Sequence, residues 1–481
     1  GPKVQGKFHD RGAAPSVSSS AVFPDSTPAV PLHLSEDDAS PAVHIVGTCE
    51  LMCPASEREL RERKNDIELF ERRDPASRNS SDSTLCIKKY TRIVDNVTPD
   101  MVRTRDALRR TVSHLYGLLD NRPEIPFMLK SKFLWDRLRS VRQDLSLQAI
   151  TDCFAMRLLE QMARFAILSE HELCEETATV SNPDGHNSHL NVEQLAKTLT
   201  SLRHMYDDHA QRGIPASETG GEAEMFSYQL LLRIDSHGRY NVERREMLND
   251  LRSARSNILM SPDVQLALAA NRAYHANNIV EFFRLVKDAS YLQACLLHKY
   301  FTRIRSRVLE TINSTFGKQA MPLDEVAQLL HADIILTEAL AKHHGLNVVK
   351  KSGGQPGSSC DERKFLLIRE AGFIEPVDDF PILRSKLVDD KRAASYLMEI
   401  APPDRMKVTK LPSISSFLVK PWINEGHHSD TSAEKPVTPK SDAACSIYLV
   451  NSVKSKGTQR KSTTLPAGKE TEIFIKHKNS F

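Results

Sequence analysis

The sequence has little of what would mark a secreted, membrane-spanning or uniformly charged protein. Eight cysteines are scattered through 481 residues at uneven spacings, which is no disulfide framework and points to a reducing compartment. No apolar run approaches the roughly 18 residues needed to cross a bilayer, so no membrane contact is expected. Neither sign of charge dominates: 65 Lys and Arg stand against 62 Asp and Glu. That balance excludes a wholly basic nucleic-acid coat and a strongly acidic chaperone, though not a local basic face. The chain opens GPKVQG, without initiator methionine or apolar signal core, and reads as a fragment, so an N-terminal address could lie outside it.

The usual signatures of chemistry are also missing. There is no phosphate loop, no dinucleotide-binding glycine motif after a strand, no nucleophile elbow and no H-E-x-x-H. Cys49-x-x-x-Cys53 with Cys86 is the best metal candidate, but zinc needs four ligands and no second pair follows at finger spacing. Buried packing of these thiols is the expectation. His343-His344 and His427-His428 are adjacent pairs, and neighbours on a helix point about 100 degrees apart, so neither chelates alone. No catalytic residue, metal or cofactor is expected, and an enzyme is the weakest reading.

What is present is helix. Residues 1–42 form a Pro/Ser-rich arm and residues 401–481 a basic tail, with thirteen Lys and Arg against seven Asp and Glu from Asp404 onward. Both lack apolar periodicity and are expected to be disordered. In the tail, Lys454, Lys456, Arg460 and Lys461 could serve nuclear import, and Cys445–Val450 could form a short strand. Between the arms, residues 43–315 read as antiparallel helices joined by short turns, a helical-hairpin array of the α-solenoid kind. Thr98-Pro99-Asp100 predicts a helix start, followed by Leu108, Val112, Leu115, Tyr116 and Leu119 on one face. A second stripe runs Leu195, Leu199, Leu202, Met205 and Tyr206 and stops near Gly213. Further helices are expected at 56–72, 127–142, 147–168, 223–234 and 242–251, with three more between Pro262 and Thr311. Residues 175–189 are expected to loop.

Residues 316–400 read differently. Short helices at 322–330 and 333–344, a stop at Gly345, then Val348-Val349, a Gly/Ser-rich loop and a β-like run at 364–368 predict a small winged-helix module with a β-hairpin. A mainly α chain with this order has the layout of PCI domains, which are assembly modules.

The arginines are the informative feature. Trp135, Asp136, Arg137, Arg139, Arg142, Gln143 and Asp144 share ten residues, with Trp135, Leu138, Val141 (or Arg142) and Leu145 predicted inward and Asp136 beside Arg139. Interleaved opposite charges favour an ion-pair network between hairpins; the alternative is a partner-binding patch of Arg forks reading carboxylates. Two clusters lack obvious acids: Arg303, Arg305 and Arg307 at the end of the array, and Lys342, His343, His344, Lys350, Lys351, Arg363 and Lys364 in the winged helix. Such groups suit a phosphate backbone, while ordinary solvated charge is the alternative.

The stretch GTCELMCPASERELRER at Gly47–Arg63, with Cys49, Met52, Cys53 and Pro54, then CIKKYTR at Cys86–Arg92 and WDRLRSVRQDLSLQ at Trp135–Gln148, resembles the suppressor-of-actin/GANP family. Glu160, Arg164-Phe165, Asn191, Tyr206, Glu224, Tyr228, Asn278, Phe282-Phe283 and Ser290-Tyr291-Leu292 continue the resemblance in order, from about Val46 to Pro376. Met225 stands where the family usually has Phe, a tolerable swap. The resemblance implies a non-enzymatic scaffold in a nuclear mRNA-export complex that couples transcription to the nuclear pore. It implies a PCI-domain partner, a small acidic subunit of the proteasome-lid type, and a basic surface for RNA. A purely protein-binding scaffold at the centrosome or spindle is the alternative. No FG run precedes Val46 and residues 404–481 show no sustained apolar stripe, so the chain resembles a short, C-type paralogue.

Overall fold

A computed structural model describes residues 45–73, 81–92, 96–178, 182–214, 220–235, 242–352 and 362–402. The Pro/Ser arm, the tail with Cys445–Val450, its lysine cluster and His427-His428, and most of the Gly/Ser loop lie outside these residues. Sixteen α-helices and one three-stranded antiparallel sheet are described, so the expected mainly helical architecture with a small β module is present.

The first part is a strap. Helix α1 (Ala55–Arg63) is shorter than the predicted 56–72 because Lys64 ends it and Asn65 takes a left-handed φ of 54°, a conformation Asn tolerates. A single 3-10 turn at Leu69–Glu71 follows. The predicted start at Thr98 yields only another such turn, Pro99–Met101. The chain then extends so that Arg103 can reach inward, and Thr104, accepting from Ala107 N, caps α2 (Arg105–Asn121).

The array proper is α2, α3 (Phe127–Leu147), α4 (Cys153–Glu172), α5 (Ser188–Gln211) and α6 (Glu222–Leu232), with α7 (Val242–Ser253), α8 (Ser256–Leu259), α9 (Pro262–His275), α10 (Ile279–Asp288), α11 (Tyr291–His298) and α12 (Phe301–Thr315). Both predicted stripes are buried. Helix α3 runs on to Leu147 and α4 begins only at Cys153, because Ala149 turns left-handed and the Asp152 side chain caps Phe154 N and Ala155 N. Gly213, with φ of 73°, ends α5 as expected. Between Pro262 and Thr315 there are four helices, not three. The breaks fall at Asn278, Ala289 and Lys299-Tyr300, the last of which adds the extra helix.

The small module starts with a strand that the sequence pattern does not predict. Strand β1 (Gln319–Pro322) precedes α13 (Leu323–Leu329), α14 (Ile334–His343), β2 (Val348–Ser352) and β3 (Glu362–Ile368). The sheet order is β1-β3-β2, with Met321 opposite Leu366 and Val349 opposite Phe365. Gly345 ends α14 with φ of 73°. Leu323, Val326, Leu340, Leu366 and Ile368 join the same continuous core as Phe282 and Phe301 of the array. The hydrophobic core therefore does not stop at the module's edge.

After β3 the chain returns to the array. Helices α15 (Lys386–Asp389) and α16 (Tyr396–Ile400) pack on α11 and on α2 and α4. Asp120 accepts from Tyr396 N at 2.9 Å and Leu397 N at 3.0 Å, filling the orphan donors at the start of α16. Glu172 pairs with Arg384 at 2.6 Å and Arg392 at 3.0 Å. His171 Nε2 meets Asp389 Oδ1 at 2.9 Å, its Nδ1 meets His298 Nδ1 at 3.1 Å, and His298 Nε2 meets the Leu383 carbonyl at 2.9 Å.

Burial lowers the affinity of His171 for protons, and burial beside His171 pushes His298 down to about 3. A histidine depressed in the folded state contributes stability that is complete above its unfolded pKa of about 6.5 and drains away below it. His298 alone therefore costs about 1.4 kcal/mol per pH unit below that point. The melting temperature should fall on acidification from pH 7 to pH 5, and His298→Gln should flatten that slope. An unchanged slope in thermal melts would show that the pair does not govern it.

Candidate functional site

Helix α3 carries the densest motif, and its side chains divide by face. On the face toward the strap lie Arg137, Ser140 and Asp144, all fully buried. Buried charge is tolerated only when paired and hydrogen-bonded, and here two carboxylates organise the pairing. Glu71, placed inside by its 3-10 turn, accepts from Arg61 Nη1 at 3.0 Å, Arg137 Nη2 at 3.1 Å and Ile87 N at 3.0 Å. Burial alone would raise its pKa, yet Arg137 and Arg61 hold it below the usual carboxylate range. Asp144 accepts from Lys88 Nζ and from Arg103 Nε, each at 2.7 Å. Ser140 braces the two cations of Asp144, accepting from Arg103 Nη2 at 2.9 Å and donating to the Lys88 carbonyl at 2.7 Å.

The strap motifs are thus the other half of the α3 motif. Lys88 belongs to CIKKYTR and Arg61 to the first stretch. Gly47 donates to Gln148 Oε1 at 3.0 Å, and a Cβ there would stand 2.6 Å from the Val102 carbonyl, so only glycine fits. Met52 offers its carbonyl to Lys88 N at 3.0 Å, while Cys49 N bonds the Val102 carbonyl at 3.0 Å. Pro54 is the residue at which α1 begins. Cys53 and Cys86 pack with Ile67 in a small buried cluster. The Cys53 thiol hydrogen-bonds Cys86, and that bond with burial raises Cys53 while the same bond lowers Cys86. Among the described residues no three His, Cys, Asp or Glu side chains converge to hold a metal ion.

The predicted Asp136–Arg139 pair does not form. Asp136 pairs with its neighbour Arg137. Arg139 instead lies over the rings of Tyr90 at 3.8 Å and Trp135 at 4.6 Å, and Trp135 is half-buried rather than inward. Gln143 donates to the Thr91 carbonyl at 2.9 Å. Arg142 donates to Thr198 Oγ1 and Ser201 Oγ of α5, both at 3.2 Å.

A second buried network joins residues that the sequence showed only as ordered matches. Arg164 bonds Glu224 at 2.7 Å and 3.0 Å and Glu160 at 3.3 Å, and Tyr206 donates to Glu160 at 2.6 Å. Tyr228 donates to Glu224. The remaining Arg164 bond reaches the Ile400 carbonyl at 3.2 Å, anchoring α16.

The basic clusters expected to lack acids have them, which corrects the reading from sequence. Arg303 and Arg307 share Asp235, at 3.1 Å and 3.8 Å. Arg305 is buried, spends its donors on the Leu330 and His331 carbonyls, and is pushed down by burial to about 10. No ligand on the surface can reach it. Lys342 and Lys364 share Glu338, at 2.6 Å and 2.5 Å, and hold its carboxyl down at about 2. His344 is buried too, stacked on Phe373 and bonded to Ser306 Oγ at 2.7 Å and the Ile374 carbonyl at 3.0 Å. Its place is in the packing. His343 is half-buried against Phe380. Lys350 and Arg363 are exposed on β2 and β3, and Lys351 stands opposite Arg363 in register. Arg303 and His343 do meet in one cleft of about 700 Å³, but Asp235, Glu375 and Asp378 line it with them, so its charge is mixed. Sequence reasoning missed Asp235 because it lies past the end of α6, far in sequence from Arg303 and Arg307, and it overlooked Glu338 although Glu338 and Lys342 stand four residues apart on α14.

Removing the charge of Glu71 would leave Arg61 with only a 3.9 Å contact to Asp66 and Arg137 dependent on its neighbour Asp136, and breaking a buried pair from one side typically costs about 3–5 kcal/mol. Glu71→Gln and Asp144→Asn should each lower urea-unfolding stability by that order. Glu59→Gln, on the exposed side of α1, should stay within about 0.5 kcal/mol. Equal small effects from all three would deny the network its structural role.

The charged side chains of these two networks fall inside the stretch that known proteins share with this chain. A model of the SAC3/GANP family matches residues 52–350. The chain is 35% identical over 369 residues to SAC3 family protein B of Arabidopsis thaliana, covering 76% of this chain and 21% of that protein. It is 31% identical over 323 residues to Protein xmas of Drosophila melanogaster, covering 63% and 14%. It is 29% identical over 403 residues to SAC3 family protein 1 of Schizosaccharomyces pombe, covering 78% and 36%. The chain therefore spans well under half the length of these relatives.

Proposed function

The chain belongs to the SAC3/GANP family, and on that premise we propose that it is a non-enzymatic scaffold subunit of a nuclear, transcription-coupled mRNA-export complex. Its β module acts as a winged helix that docks beside the winged helix of a second PCI-domain protein, a small acidic proteasome-lid-type subunit braces the pair, and the joined surface takes RNA. The observation that supports docking is apolar exposure at the start of α14. Ile334 is 44% exposed and Ile335 79%, while Thr337, Leu340 and Ala341 of the same helix are buried. An exposed apolar pair on a helix otherwise committed to the core suits a partner. The support for RNA is narrower than the sequence suggested: Lys350 and Arg363 on the sheet, with Lys351 beside them in register.

A second reading, a purely protein-binding scaffold at the centrosome or spindle, draws on a specific observation as well. Asp235 and Glu338 already neutralise four of the cations proposed for RNA. Affinity capture of the tagged chain followed by mass spectrometry tests the scaffold itself. A PCI-domain protein and a small acidic subunit should be recovered, and Ile335→Asp should reduce that recovery at least tenfold while leaving the melting temperature nearly unchanged. Recovery of neither would sink the proposal.

RNA contact has its own measurement. Reversing Lys350, Lys351 and Arg363 to Glu in the captured complex should weaken RNA retention. It should also flatten the plot of log affinity against log salt by about 0.7 for each single-strand phosphate no longer neutralised. An unchanged slope would favour the protein-only reading.

A further inference from the structure

The α3 motif supports both of its sequence readings, on different faces. Arg137 and Asp144 are consumed by the buried network described above. Arg139 and Arg142, three residues apart and so neighbours on the helix surface, are not. Among the described residues no carboxylate lies within ion-pair distance of either one. Arg142 is only partly exposed, and its polar contacts are two hydroxyls, Thr198 Oγ1 and Ser201 Oγ. Those hydroxyls already donate to carbonyls of their own helix, Gln194 at 2.8 Å and Lys197 at 2.9 Å, so they are fixed as acceptors. Burial lowers the Arg142 pKa, with no neighbouring charge offsetting it. A desolvated cation without a counter-charge is unfavourable for stability, and it persists here although most buried charges among the described residues, such as Arg61, Arg103, Arg137 and Arg164, are ion-paired.

Arg139 adds a complementary geometry. Its planar guanidinium lies against Tyr90 and Trp135, so the rings occupy its faces. The in-plane N–H edges are left for the fork that matches a carboxylate. Beside the two arginines is a cavity of about 50 Å³ between α3, α4 and α5. Trp135, Leu138, Met162, Phe165 and Leu195 give it an apolar lining.

We propose that Arg139, Arg142 and the Trp135 cavity form a docking site for an acidic peptide segment of a partner protein, which places a carboxylate on the arginines and an aliphatic side chain in the cavity. The combination of Trp and Arg around a small apolar pocket is the composition of an interface hot spot. A peptide suits the site better than a nucleic acid. Two cations over an apolar hole match one carboxylate and one branched side chain, whereas a phosphate backbone calls for a longer basic track. The Trp135 face that a base would stack on is in part already covered by Arg139. The site is separate from the β-module surface proposed for RNA, so either can fail without the other.

Trp135 reports on its own pocket. The sequence holds two tryptophans, and Trp422→Phe leaves Trp135 as the only one. The full chain carrying that change is titrated with short synthetic peptides in which one leucine is flanked by Asp or Glu. The same peptides with Asn and Gln, and an oligouridylate, serve as counter-probes. The acidic peptides should produce a saturable change in fluorescence. Arg142→Gln and Arg139→Gln should each weaken it at least tenfold. Because Arg142 is an uncompensated cation, Arg142→Met should hold or raise the melting temperature; a loss of stability would assign Arg142 to packing and overturn the proposal. So would equal binding of the amide peptides, binding indifferent to both arginine changes, or saturation by oligouridylate alone. Absence of any saturable response to the acidic peptides would overturn it as well.

Discussion

Two buried carboxylates, Glu71 and Asp144, are the constraint around which the rest of this molecule is arranged. Each is wholly removed from water, and a carboxylate in that position demands cations at hydrogen-bond distance. The cations come from far along the chain: Arg61 and Lys88 from the strap, Arg103 from the turn before α2, Arg137 from α3. The requirement explains why the strap is irregular. A continuous helix through residues 56–72 would not deliver Glu71 inside. An α2 beginning at Thr98 would draw Arg103 into a helix rather than leave it extended beside Asp144. Local propensity yields in both places, because stranding a buried charge costs more than forgoing a turn or two of helix.

The same logic is repeated at the other end. Arg164 is held by Glu160 and Glu224 through Nε and Nη2, and its Nη1 donates to the Ile400 carbonyl. Asp120 and Glu172 likewise hold the returning segment through backbone donors and arginines. Residues 384–400 are therefore fastened to the helical array by polar anchors set around the apolar contacts of Val388 and Ile400. The array gains a clasp across α2, α4 and α11, and the β module is left to share its core with α12 on one side and present α14 on the other.

How far the sequence revealed this depended on whether the signal was local. Helical stripes, such as Leu108 to Leu119, and terminators, such as Gly213 and Gly345, depend on nearest neighbours and were legible. Strand β1 was not, because four residues reading Gln-Ala-Met-Pro carry no alternation and become a strand only by pairing with β3. Among the cations of the β module, the Glu338–Lys342 pair at four-residue spacing was legible and overlooked, whereas Lys364 reaches Glu338 only once β3 is folded back beside α14. His344 and Arg305 looked accessible because charge in a sequence carries no depth. In the α3 motif the spacing did hold the answer. Arg137 and Asp144 are two turns apart on one face, while Arg139 and Arg142 fall on another.

The charge total of the whole chain hides that division. A net charge of +3 from 65 cations and 62 anions suggests near-neutrality everywhere, but pairing is not evenly spread. Within the described residues the deepest acids are committed internally, so they cannot screen the surface arginines near them. Arg139 and Arg142 lie within one helical turn of Asp136 and Asp144, yet both aspartates face the strap and spend their oxygens on Arg137, Lys88 and Arg103. Because an ion pair requires contact rather than proximity in sequence, a helix can be neutral by composition and still offer two uncompensated guanidinium groups on one face. The buried network that secures the strap therefore also sets the polarity of the opposite face of α3. A substitution that freed Asp144 from the strap would affect both.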